Sequence, residues 1–231
     1  MKSIYTALTC FLILPFYSLG QVNKTMTVKA GSTIAETLTL AELYLYPTFT
    51  SGVVYYKDGR AAGSRFNYNL VSGEMQFVSS KNDTLSVANE TTFKYVVIAQ
   101  DTFYFDNGYL QLRMGHPLVK LAKQQRIRIA GKEKIGAYGQ PSSTSAIDNY
   151  DQLTTNNAVQ KLVVKEDLVL NWETLYFIGD ENDHFLLLNK KNLLDLFPKK
   201  RDAIKGYLKT NNVNFNSQED AENLTKFLQQ Q

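Results

Sequence analysis

Turn signals recur about every eight to twelve residues between residues 53 and 114, and no other feature constrains the fold as strongly. Lys57-Asp58-Gly59-Arg60 is the clearest, because Asp-Gly suits the positive φ angles of a type I′ hairpin turn. Ser72-Gly73, Lys81-Asn82-Asp83 and Asp106-Asn107-Gly108 punctuate the rest. Between them, residues 65–70 alternate polar and apolar side chains with the period of a half-buried strand. Residues 53–57, 74–78, 84–88, 94–99, 102–105 and 109–114 supply further strands, rich in aromatic and β-branched types. This pattern specifies an antiparallel meander. Fourteen Phe and Tyr residues fall between Tyr44 and Tyr109. Cross-strand ring pairs stabilise antiparallel sheets, so these rings are read as core, with a ligand platform as the alternative.

Residues 33–46 give two conflicting signals. Thr33 with Glu36 is the pattern of a helix capping box. Thr37-Leu38-Thr39-Leu40 and Leu43-Tyr44-Leu45-Tyr46 alternate with strand period, and the segment is read as strand. Residues 136–157 are poor in apolar side chains and read as an exposed loop. Strands are expected at 159–165, 173–178 and 184–189. From Asn189 the spacing turns helical: Asn189 can cap a helix at 190–196, Pro198 can open a second to about residue 210, and Ser217 with Asp220 can cap a third. Each has apolar residues at three- and four-residue spacing, hence one face to bury. The fold class is therefore α+β: an antiparallel, curved β-meander with a short helical C-terminal segment, about 190–231, packed on it.

Residues 1–20 read as a cleavable signal peptide. Lys2 is the basic start, residues 7–16 form the apolar run, and Ser18-Leu19-Gly20 places small residues for cleavage before Gln21. The run is too short for a transmembrane helix, and no later stretch is longer. Cys10 lies inside the run and does not end it, which argues against lipidation. Residues 21–231, a single domain, then contain no cysteine. An exported chain of this size without disulfides points to a bacterial periplasm or outer surface, and a chain this long can bury an ample core.

Charge is nearly balanced overall, with 25 Lys and Arg against 22 Asp and Glu, but it is laid out in blocks. Residues 115–135 carry six basic side chains against Glu133, and residues 190–209 carry seven against two. Residues 148–183 carry Lys161 and Lys165 against eight carboxylates. Pairing between these blocks, or solvation, is the expectation in preference to a polyanion site. The three short C-terminal helices invite a helix-turn-helix comparison, but an exported protein has no operator to read, so no nucleic-acid partner is expected.

Reactive constellations are scarce. The histidines, His116 and His184, belong to no metal-ligand spacing, and neither a G-x-S-x-G elbow nor a phosphate-binding loop occurs. No catalytic residue and no cofactor is assigned. Asp180-Glu181-Asn182-Asp183 is oxygen-rich, which makes Asp180 and Asp183 weak candidates for calcium, against the plainer reading of a solvated turn. A carboxylate-dependent hydrolase would draw on Asp101, Asp180 or Asp183. Sequons at Asn23, Asn82, Asn89 and Asn223, and the Asp83-Thr84-Leu85 triplet, are short enough to arise by chance.

Tyr46-Pro47, Phe49, Gly52 and Val54, then Phe66-Asn67-Tyr68-Asn69, Glu74-Met75-Gln76-Phe77 and Asp83-Thr84-Leu85, together with Leu193-Leu194, Leu196-Phe197-Pro198, carry a resemblance. The chain resembles an exported β-rich family of Bacteroides- and flavobacteria-like Gram-negative bacteria. The resemblance implies export and a Gram-negative source; it carries over no activity and no site residue. The function expected first is a non-catalytic binding or structural module of the cell envelope. The alternatives are a carrier holding a lipid or other apolar ligand between sheet and helices, and the hydrolase.

Overall fold

The hairpin at Asp58-Gly59 forms, though with a different turn from the expected one. In the computed structural model, which describes residues 24–135, 141–144 and 163–231, β2 (Thr50–Tyr56) and β3 (Ala61–Tyr68) pair antiparallel around it. Tyr56 N–H donates to Arg60 O at 2.9 Å and Gly59 N–H to Tyr56 O at 3.1 Å. Gly59 alone takes positive φ, at 90°, so the connection is a three-residue loop with glycine at its left-handed position and not a type I′ pair. The remaining turns deliver β4 (Met75–Val78), β5 (Thr84–Ser86), β6 (Phe93–Ile98), β7 (Asp101–Phe105) and β8 (Tyr109–Met114). Asn82 and Asn107 adopt the left-handed conformation at two of them.

The sheet extends further than the turn signals reached. β1 (Thr25–Val28), β9 (Lys120–Ile135), β10 (Pro141–Thr144), β11 (Asp167–Gly179) and β12 (Phe185–Leu187) complete it. All its ladders are antiparallel, in the order β1-β11-β9-β8-β7-β6-β2-β3-β4-β5, with β10 also on β9 and β12 also on β11. β9 was not expected, and β11 begins six residues before the predicted strand at 173. In β9 the alternation is blurred, because Lys123 and Gln125 share a face with Leu121, Ile127 and Ile129. The expected strand at 159–165 reduces, among its described residues, to one bridge between Val163 and Thr33. β10 lies inside the expected loop 136–157; residues 1–20, Cys10 and the rest of that loop lie outside the described residues.

Residues 33–46 correct the strand reading. α1 (Ile34–Thr37) and α2 (Leu40–Leu43) are one-turn helices, each started by a capping box, Thr33 with Glu36 and Thr39 with Glu42. Glu36 and Glu42 accept from Thr33 and Thr39 N–H at 3.0 Å, Thr33 Oγ1 accepts in return from Glu36 N–H, and Ile34, Leu38 and Leu43 go into the core. Past Leu43 the strand reading reduces to one bridge. Tyr44 bridges Asn69, and the buried Asn67 side chain accepts from Tyr46 N–H at 3.0 Å and donates to Tyr46 O at 2.9 Å.

The sheet is open and strongly curled. Past the end of β3, Leu70 O accepts from Ile127 N–H of β9 at 2.7 Å, which draws the two limbs together. The inner face of the curl holds Val54, Phe66, Met75, Val96, Ile98, Phe103 and Leu170, none more than 3 % exposed. Farther along β9 and β11, Leu121 and Ile178 pack with the helices α3 (Lys190–Leu196), α4 (Arg201–Thr210) and α5 (Gln218–Gln230) through Leu193, Ile204, Leu224 and Leu228. The expected caps are present: Asn189 accepts from Asn192 N–H at 2.9 Å and Ser217 from Asp220 N–H at 3.4 Å. Pro198 opens the single 3₁₀ turn that leads into α4.

Candidate functional site

Strand parity divides the rings between two faces. Phe66, Tyr68, Phe93, Phe103 and Tyr109 point inward and are buried, which is the expected core role. Tyr55, Tyr95 and Tyr104 stand on the other face. Tyr55 of β2 lies directly opposite Tyr95 of β6, with ring centroids 4.9 Å apart. Tyr95 meets Tyr104 of β7 edge-on at 6.2 Å, and Tyr104 meets Phe185 of β12 at 5.3 Å. Leu110, Ala122 and Phe177 fill the sheet beneath the last two rings. The result is an aromatic row across the outer face, ending at Tyr55, 37 % exposed, and continuing past Phe185 to Leu187, 41 % exposed.

Phe185 reaches the row because Gly179 faces it across the β11–β12 ladder. A Cβ at residue 179 would stand 2.5 Å from the Phe185 ring, so the ring lies flat over the bare glycine backbone. Asp106 then fixes the strand, its Oδ2 accepting from Phe185 N–H at 3.0 Å. Burial raises the Tyr104 hydroxyl above its ordinary pKa, and the nearby Asp183 charge adds to this. The Lys94 ammonium sits 5.9 Å from the Tyr95 ring centroid. Such a row offers rigid apolar area with hydroxyl handles, the chemistry that anchors protein contacts.

Neither Phe185 nor Gly179 was singled out by sequence. A signal was nonetheless present: Val53-Val54-Tyr55-Tyr56 and Tyr95-Val96-Val97-Ile98 have no polar alternate residue. A strand with one face in the core and the other in water should alternate, so these runs mark a sheet that is apolar on both faces.

A cavity for the alternative reading, a lipid carrier, would lie on the inner face. There, among the described residues, Leu45, Tyr68, Phe103, Tyr109, Gln111, Lys123 and Gln125 surround a space of about 10 Å³. That is room for one water, against about 300 Å³ for an ordinary ligand pocket. The Tyr109 hydroxyl and Gln111 Oε1 are buried there without a protein partner, which suits a bridging water. Desolvation lowers the Lys123 pKa, reinforced by Arg113 and opposed by Asp101.

The acidic turn is built around a protein cation. Asp180 Oδ1 accepts from Asn182 and His184 N–H at 2.9 and 3.0 Å, and Asp183 takes a φ of 61°. The Lys120 ammonium lies 3.0 Å from both Asp183 Oδ1 and Asp180 O, so it already pairs with Asp183. No group of three or more His, Cys, Asp or Glu among the described residues is arranged to hold a metal ion. Asp101 is not brought near. It starts β7, where it accepts from the Tyr46 hydroxyl at 2.6 Å, whereas the acidic turn adjoins Asp106 past the other end of that strand. Five residues of extended chain separate the two by about 16 Å. Burial, with Asp101 beside it, raises the Tyr46 pKa.

Carboxylates on and just before β11 pair with part of the first basic block. Arg126 and Arg128 reach Glu173 at 2.7 and 3.7 Å, and Lys132 lies 4.0 Å from Glu166. None of the described helices is long and apolar enough to cross a membrane. No family model, curated protein or solved structure matches the chain.

Proposed function

We propose that this chain is an exported, non-catalytic binding module of a Gram-negative cell envelope, and that the outer aromatic row is its contact surface. One observation supports it above all. Tyr55, Tyr95, Tyr104 and Phe185 form a continuous ring series on the face opposite the core, with both ends of the apolar strip open to solvent. Aromatic residues dominate binding energy where they are centred in a contact. The partner is an envelope protein, docked over the row with the tyrosine hydroxyls hydrogen-bonding at its edges.

Site-specific photo-crosslinking in cells that make the protein tests this. A benzophenone side chain at Tyr95 should give one discrete adduct, and the same group at Asn82, on the β4–β5 turn, should give none. No adduct at Tyr95, or equal labelling at both positions, would overturn the docking surface. The N-terminus of the envelope-fraction protein should be Gln21; a chain retained in the cytoplasm with Met1 intact would overturn export.

A further inference from the structure

The second basic block has a different fate from the first. Of its seven basic residues, Lys200 donates to Leu228 O at 2.7 Å, and Arg201 to Leu194 O at 3.3 Å. These are main-chain carbonyls and leave the charge uncompensated. Among the described residues, Lys190, Lys191, Lys199, Lys205 and Lys209 are exposed, and none is within ion-pair distance of a carboxylate. The acids within the block are Asp195 and Asp202, both exposed as well. On α4, Arg201, Lys205 and Lys209 recur every four residues, and that spacing stacks them along one side of a helix. Ile204 is buried, with Tyr207 and Leu208 packed beside it, so the basic row flanks the buried face and Lys209 turns farthest from it.

From this we propose that the outward side of α3 and α4 is an attachment surface for anionic lipid headgroups. Seven basic residues within 20 fit the size of a headgroup-binding cluster. Six of them are exposed on α3, on α4 and on the turn between, with Lys200 half-buried, whereas a single-stranded polyanion is bound along a groove with stacking rings. The apolar side of α4 is occupied by the protein's own core, so the contact is electrostatic, reversible and weakened by salt. This surface is separate from the aromatic row, and either can fail without the other.

Cosedimentation of the full chain with lipid vesicles tests it. Binding to vesicles of equal parts phosphatidylglycerol and phosphatidylcholine is expected, with none to phosphatidylcholine alone. Each basic side chain near such a surface contributes about fivefold to binding. Lys205→Glu/Lys209→Glu should therefore lose at least about 25-fold. Lys81→Glu/Lys165→Glu, which changes net charge equally elsewhere, should bind as the parent does. All four positions are exposed, and circular dichroism of both variants checks their folding. Equal losses in the two variants, binding to neutral vesicles, or binding of soluble heparin in place of vesicles would each overturn the proposal.

Discussion

Gly179→Ala isolates the one close approach that completes the aromatic row. Gly179 does not take positive φ, so alanine suits its backbone and the whole penalty comes from contact. The new methyl would lie 2.5, 2.7 and 3.0 Å from three carbons of the Phe185 ring. Ordinary carbon contacts begin near 3.5 Å, so the ring must retreat by about an ångström. Overpacking of that size costs about 1–3 kcal/mol. In a chain of this size it lowers Tm by roughly 2–4 °C per kcal/mol. Phe185 is 5 % exposed, so Phe185→Ala alone should cost about 3 kcal/mol or somewhat more. The informative variant is the double one. If the clash is the cause, removing the ring removes the penalty of the methyl, and Gly179→Ala/Phe185→Ala should be no less stable than Phe185→Ala. Urea denaturation of the four proteins closes the cycle, with an expected coupling of about 1–3 kcal/mol. Additive losses would refute the claim that Gly179 exists to seat Phe185.

Two further outcomes follow from charge. Glu42, held by the Lys24 ammonium and the Thr39 N–H, is lowered from 4.5 to about 2, and Lys29 with Ala30 N–H lowers Asp167 in the same direction. The unfolded chain therefore binds more protons in this window, so stability is full above about pH 4.5 and declines as pH falls toward about 2. A urea midpoint that stays constant across that window would contradict both pairings. Calcium at millimolar concentration, or a chelator, should leave Tm unchanged, because the Lys120 ammonium already sits 3.0 Å from Asp183 Oδ1. Lys120→Met should lower stability by about 1–3 kcal/mol, since it strands a partly buried carboxylate; a calcium-dependent rise in the parent's Tm would reverse this assignment.

What could be read from sequence was what near neighbours decide. Asp-Gly and Asn-Gly set turns through their own φ angles, and Asn189, Pro198 and Ser217 start helices through groups within about three residues. The meander, the C-terminal helices and the α+β class follow from such signals. At residues 33–46 two local signals competed, and the caps prevailed at Thr33 and Thr39 because each satisfies orphan N–H groups on the spot. The candidate site was legible only in fragments, as apolar runs without alternation at Tyr55 and Tyr95. Tertiary structure decided the rest. Period-2 alternation says that neighbouring residues face opposite ways, but it does not say which way is inward. That choice is made by register between distant segments: Arg126 opposite Glu173, Ile127 bonded to Leu70. Such pairings sent Tyr68 into the core and Tyr55 to the surface, and they gave part of one basic block carboxylate partners while leaving the other exposed. No residue of α4 has a partner strand to supply carboxylates, which is why two sequence blocks of equal net charge end with different surroundings.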